Sequence, residues 1–400
     1  MKRYNDLYKQ VYDLENIRLG YNKARKGKGN RYGVKLFDQD LEANLLALHE
    51  ELKNKTYKTS EYSIFIIYEP KEREIYRLPF RDRVVHHAIM NIIEPIWVSI
   101  FTSDTFSCIK KRGIHGAQKA VLRDLKSDIP GTEFCLKGDI KKFYPSIDHE
   151  ILKMIARRKI KDKDLLELID EIIDSAPGVP IGNYLSQYLA NLYLAYFDHD
   201  IKTCFGLAKN EKALEAYIPY YIERTLATAK DKDLEEISKG PSYLADKFKQ
   251  SVKSLGYYYR YADDFVILHN DRVFLHILIE WIGLYLAREL KLLVKHNWQV
   301  YRVEDRGVDF VGYIFRHEYT LLRKTIKKNF FRKVSKAVKI DPEISKKRLI
   351  HTVCSYYGWC LHCDSKHLLQ TIFKRLNDEV KFSLPKTVDL GGSRQRDVAL

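Results

Sequence analysis

The sequence predicts an α+β fold, a small antiparallel sheet set among many helices, and three observations predict it. Residues 257–261 and 265–268 are rich in aromatic and branched side chains. They flank Ala262-Asp263-Asp264 and read as a tight hairpin with two carboxylates at its tip. Residues 133–140 read as a buried strand ending in an acid, Asp139. Long segments with apolar residues at helical spacing, 188–202 and 273–290 among them, fill much of the rest.

The hairpin breaks two local rules. Adjacent like charges at a turn are costly without a cation. Ala-Asp also sits poorly where Asn-Gly or Asp-Gly would sit easily. Alone, such a pair reads as a solvated acidic turn, and the rest of the chain argues against that. A net charge of +16 and a pI near 9.3 call for an anionic partner, nucleic acid before acidic membrane. With 30% charged and 45% apolar residues the chain is globular rather than disordered. No apolar run reaches membrane-spanning length, and the N-terminus lacks an apolar signal core. The expectation is a cytoplasmic protein that has no membrane partner and keeps its six cysteines reduced.

In chain order, residues 1–60 read as an N-terminal extension with helices over 6–18 and 41–52. Between them, residues 18–35 carry seven basic side chains and no acid, a flexible basic loop suited to RNA backbone. Strands are expected over 61–68 and 75–78, with a turn at 71–74. A helix opens at Phe80 with Asp82 near its start. Its paired His86 and His87 point in different directions, which argues against a shared metal. Lys110-Lys111-Arg112-Gly113 forms a basic turn entering a helix over 117–126, and three cations there suit a triphosphate.

Ser146 or Asp148 caps a helix from about 149, whereas an unpaired Asp139 at the end of an apolar strand would be expensive. Residues 176–187 read as a loop, and 203–256 as a helical, charge-rich insertion broken by Gly240-Pro241. A short strand is expected at 292–295 and a further β element over 308–315. From 323 to 348, eleven Lys/Arg against Asp341 and Glu343 alternate with apolar residues at helical spacing, as in a helix laid along phosphates. His351-x-x-Cys354 and Cys360-x-x-Cys363 have zinc-like spacing, but packing roles in a helix fit them better.

Brought to one small sheet, Asp139 and Asp263 would hold two divalent cations, Mg2+ with Mn2+ as the alternative, and Asp264 would be a weaker ligand. At these residues the chain resembles a reverse transcriptase of the right-hand polymerase fold. Asp139 with Phe143-Tyr144 matches the family's first catalytic motif, and Tyr261-Ala262-Asp263-Asp264 its catalytic hairpin. The resemblance implies fingers and palm over 61–320, a helical thumb over 321–384 and a flexible tail over 385–400. It implies catalytic roles for Asp139, Asp263, Asp264 and Lys295, the last protonating pyrophosphate, and metal contacts from Asp139, Ile140, Asp263 and Asp264. Tyr144 falls where an aromatic excludes a ribose 2′-hydroxyl. Lys110, Lys111, Arg112, Gly182, Asn183, Ser186 and Gln187 would face the dNTP. Arg81, Arg83, Phe310, Gly312, Tyr313, Arg323, Lys324, Lys327 and Lys328 would face primer and template.

The run Ile181-Gly182-Asn183-Tyr184-Leu185-Ser186-Gln187 is similar to reverse transcriptases of diversity-generating retroelements. That group implies error-prone copying of a structured non-coding RNA from a DNA or RNA primer into cDNA. Its partner is a small helical accessory protein, or a second protein subunit. The long insertion and Ile109 depart from the group's pattern. Defence-associated reverse transcriptases of antiphage systems share the core and are the alternative. An RNA-templated RNA polymerase and a non-catalytic RNA-binding scaffold are more remote.

Overall fold

The computed structural model describes residues 3–68, 72–229, 233–338, 342–374 and 376. The chain divides into two compact units. The first holds residues 1–113, 136–267 and 271–299, the second 114–135, 268–270 and 300–400. Nine strands occur among the described residues: β1 Ser63–Ile67, β2 Arg73–Arg77, β3 Phe134–Asp139, β4 Tyr257–Tyr261, β5 Asp264–His269, β6 Gln299–Arg302, β7 Val308–Phe310, β8 Tyr313–Phe315 and β9 Thr320–Leu322. β1 and β2 pair antiparallel with Phe65 opposite Ile75, and β5 lies between β4 and β3. The mixture of helices with antiparallel strands is the expected α+β class.

The first unit departs from the expectation at its start. The helix Leu14–Arg25 covers half of the expected basic loop, because Ile17, Tyr21 and Ala24 recur at helical spacing and are buried. Two of its cations are paired, Arg18 with Glu42 at 2.5 Å and Arg25 with Asp38 at 3.0 Å. The helix Phe80–Val98 is the central apolar element, with Val84, Val85, Ala88, Ile89 and Ile93 fully buried. Residues 292–295 are too short to pair as a strand and make a single bridge, Val294 to Ile140. The expected 176–187 loop ends early, because a helix runs from Tyr184 to Tyr193 and is followed by Ala195–Ile201.

The insertion is integrated rather than appended. Its helices Glu211–Thr228, Leu234–Ser238 and Pro241–Lys253 bring Tyr221 and Phe248 into a ring stack 4.8 Å apart. The first and third of these close on Asp271, which caps the helix Arg272–Leu290 through Phe274 N at 3.0 Å. Asp271 also accepts from Tyr221 Oη at 2.7 Å and Ser251 Oγ at 2.9 Å, and it is 1% exposed. Asp271→Ala is therefore expected to remove a cap and strand two buried hydroxyls, costing about 2–4 kcal/mol in urea unfolding.

In the second unit, β8 pairs antiparallel with both β7 and β9. Three helices follow, Lys324–Val338, Pro342–Cys360 and Lys366–Phe373. Phe330 stacks on Tyr356 at 4.6 Å, and Tyr313 lies 5.5 Å from Trp359. His115 and His362 face each other at 3.9 Å. β6 and β9 were not expected from sequence. The expected tail over 385–400, and the side chains of 337–348, lie outside the described residues.

Candidate active site

The β4–β5 hairpin closes through a two-residue loop. Its first residue, Ala262, has φ +57°, a left-handed backbone that costs an L-residue about 1–2 kcal/mol. This is where a glycine would sit without strain, so the turn's odd composition is a real structural exception. Asp263 follows, and Asp264 begins β5. Gly138, just before Asp139 on β3, has the Phe265 ring against its Cα, and a Cβ there would stand 2.2 Å from Phe265 Cζ. Absence of a side chain there lets β3 and β5 approach.

Asp139 is held by Lys295 at two points. Lys295 Nζ donates to Asp139 Oδ2 at 2.6 Å, and Lys295 N donates to the Asp139 carbonyl at 2.8 Å. Ile140 N donates to the Asp263 carbonyl at 3.2 Å, joining the strand end to the hairpin tip. Asp139 Oδ1 is buried and has no protein partner. Burial first, then Asp139, push the Asp263 carboxyl from 3.8 up to about 6, with Asp264 adding to the effect. A buried orphan oxygen beside a carboxylate that resists ionising is the donor set a hard divalent cation relieves. Among the described residues no three His, Cys, Asp or Glu side chains converge into a metal cluster. The chain brings together the pair Asp139 and Asp263, without Asp264 completing a triad.

The other expected residues divide. Tyr144 is half-buried in a single-turn helix, and burial, Cys108 and Asp263 push its hydroxyl up. Lys110 is exposed and paired with Glu94 at 3.0 Å, and Lys111 is exposed. Arg112 is committed elsewhere, donating to the carbonyls of Thr102 and Thr105 and so bracing its own loop. Gly182 has φ +124° and lies against β2, where Tyr76 N donates to the Ile181 carbonyl at 3.1 Å. Ser186 and Gln187, expected in a loop, are helical, and Ser186 is buried, since the helix starts two residues before it.

Asn183, Arg83, Lys28 and His87 line a cavity of about 40 Å³. Neither side-chain atom of Asn183 has a protein partner, nor does Arg83 Nε, and Asn183 is 2% exposed. Lys28 and Arg83 make the cavity lining basic, and burial, then Lys28 and Lys23, push His87 down to about 4. Sequence reasoning missed Lys28 and His87 here, because no spacing links them to Asn183. Arg81 is paired with Glu51, a bracing role.

In the second unit, Phe310 and Tyr313 are fully buried, and Tyr313 Oη donates to the Trp359 carbonyl at 3.1 Å. Their side chains serve the core, and Gly312 between them is buried too, with Trp359 and Ile326 packed against it, so none of the three is placed to face a primer. Arg323 pairs with Asp309 at 2.5 Å, whereas Lys324, Lys327 and Lys328 are exposed along one helix.

A strand-end carboxylate, a hairpin carboxylate and a lysine thus gather at one end of the sheet β4-β5-β3-β6. The family model described as reverse transcriptase (RNA-dependent DNA polymerase) matches residues 69–315, more than half of the chain, and the chain belongs to that family. The group II intron-encoded protein LtrA of Lactococcus lactis subsp. cremoris is 25% identical over 304 residues, covering 69% of this chain and 50% of that protein. Protein YkfC of Escherichia coli K12 is 28% identical over 205 residues, covering 47% of this chain and 48% of that one. The chain thus spans about half the length of these curated relatives. Among solved structures, apo telomerase from Candida tropicalis aligns with a TM-score of 0.43 at 10% identity, covering 82% of this chain and 64% of that one. No helix among the described residues is long and apolar enough to cross a membrane.

Proposed function

We propose that the chain extends a 3′-hydroxyl with dNTPs on an RNA template, and the observation that carries this is the hairpin tip bearing Asp263 joined to the strand end bearing Asp139, with Lys295 on Asp139. In this reading Asp139 and Asp263, with the Ile140 carbonyl and Asp264 as outer contributors, hold divalent cations, Mg2+ or Mn2+. Bound there, the ions supply charge neutralisation for the attacking 3′-oxygen and the leaving pyrophosphate. The chain's own residues do the rest. The 3′-oxygen, its proton lost to solvent, displaces pyrophosphate from the α-phosphorus, and Lys295, whose Nζ donates to Asp139 Oδ2 at 2.6 Å, would give the departing group a proton. Tyr144 screens the sugar. Lys110 and Lys111 meet the triphosphate, and the Asn183–Arg83 cavity takes a phosphate of the nucleic-acid strand. Lys324, Lys327 and Lys328 lie along backbone phosphates, in the region read as thumb.

The pH dependence tests the metal ligands. An unfolded aspartate titrates near 3.8 and Asp263 near about 6, so between those values the folded chain holds the extra proton. The metal-free protein therefore gains stability from this group as pH falls through that window, and loses it as pH rises past about 6. A cation must displace the proton. The Mg2+ concentration for half-maximal extension is expected to rise about tenfold per pH unit below about pH 6 and to level off above about pH 7. A requirement that stays flat across that range removes Asp263 from the site.

The motif around Gly182-Asn183 supports a cytoplasmic enzyme of a diversity-generating retroelement that copies a dedicated structured RNA with a helical accessory protein. Antiphage defence is the alternative. The relatives' names support a second reading, copying within an intron RNA. Sequencing the RNA that co-purifies with the chain, and the cDNA made from it, separates these. Substitutions concentrated at template adenines mean diversification, whereas faithful copies of an intron mean the second reading. Ribonucleotide-only products overturn the reverse transcriptase reading itself.

A further inference from the structure

Arg260 is a charged residue inside the aromatic strand β4, and it is completely buried together with its partner Asp198. The pair is bidentate, Arg260 Nε to Asp198 Oδ1 at 2.7 Å and Nη2 to Oδ2 at 2.6 Å. Tyr258 Oη donates to Asp198 Oδ1 at 2.7 Å, and Thr105 Oγ1 donates to Oδ2 at 2.7 Å, so the carboxylate is fully satisfied. The guanidinium has one arm left. Its Nη1 donates to the Ala262 carbonyl at 2.9 Å and to Asn191 Oδ1 at 3.3 Å. That carbonyl belongs to the left-handed residue at the hairpin tip, one peptide before Asp263.

A buried ion pair is a poor way to gain stability, because desolvation offsets much of the attraction, and apolar replacements of such clusters are often as stable or more so. Its retention here needs another reason, and its free arm supplies one. From the polymerase reading, on which this rests, we infer that Arg260 is a positioning residue for the metal site. Asp198 fixes the guanidinium, Nη1 fixes the Ala262 peptide, and that peptide aims Asp263. The backbone of Arg260 also holds a neighbouring loop. Phe106 N donates to the Arg260 carbonyl at 3.0 Å and Arg260 N donates to the Asp104 carbonyl at 2.9 Å, so the loop leading to Lys110 hangs from this strand. Outer contacts of this kind tune metal affinity by about 10–100-fold.

Two variants test it. Arg260→Lys keeps a charge against Asp198 but cannot also reach Ala262. The combination Arg260→Met, Asp198→Leu, Tyr258→Phe and Thr105→Val replaces the hub with apolar groups. Both are expected to melt cooperatively, the second at or above the wild-type temperature. In both, Mn2+ binding followed by electron paramagnetic resonance without nucleotide is expected to weaken at least about tenfold, with a matching rise in half-saturating Mg2+ for extension. Folded variants with wild-type Mn2+ affinity and Mg2+ requirement overturn the positioning role. A wild-type chain that extends no primer overturns the polymerase reading instead, and Mn2+ affinity then judges Arg260 by itself.

Discussion

Asp263→Asn is expected to lower primer extension by about 10³-fold or more while leaving the fold intact or firmer. In the proposed reading the loss follows from removing a ligand for ions that stabilise several kcal/mol of transition-state charge, and about 4 kcal/mol corresponds to 10³ in rate. The stability effect has the opposite sign. Without metal, Asp263 is a carboxylate whose ionisation burial and Asp139 resist, and the neutral amide removes that repulsion. The thermal midpoint of the metal-free variant should equal or exceed that of the wild type. An inactive variant that melts well below wild type would show a structural role, and an active one would move the chemistry elsewhere.

Tyr144→Ala is expected to admit ribonucleotides. The ring sits in a single-turn helix that the backbone of residues 178–179 clamps, with Val179 N donating to the Tyr144 carbonyl at 2.9 Å. That clamp leaves the ring little freedom to retreat from a 2′-hydroxyl. Discrimination by a built clash vanishes when the clashing group is removed. The ratio of dNTP to NTP incorporation efficiency should fall on the order of 10²-fold, about 2.7 kcal/mol, with dNTP turnover changed far less. Steady-state incorporation of matched pairs measures it. An unchanged ratio would leave Tyr144 as a packing residue.

Much of this site was legible because its chemistry violates local preference. Asp139 stood out as an acid closing an apolar strand, and Ala262-Asp263 as the wrong residues for a tight turn. Lys295 was visible only through family resemblance, and the structure places it on Asp139. The β4–β5 hairpin and the helix Arg272–Leu290 were legible from patterning alone. What spacing cannot convey is pairing at long range. Arg260 could be seen as a lone charge in an aromatic run, but Asp198 lies 62 residues away. Arg112 looked like a ligand for phosphate until the loop carbonyls it holds were placed beside it. Phe310 and Tyr313 were expected at primer and template through the family resemblance alone, and the structure buries both side chains. The helix Leu14–Arg25 was obscured by its many cations, whose partners Glu42 and Asp38 come later in the chain.

The Asp271 junction carries a practical lesson for anyone wishing to shrink this chain. Helices 211–228 and 241–253 cover Phe274 and Trp281, with Phe248 6.5 Å from each ring. Trimming the chain to a minimal catalytic core would bare that aromatic seam to water and invite aggregation. A shortened version would need polar substitutes along the seam, so what looks like optional upholstery is part of the frame.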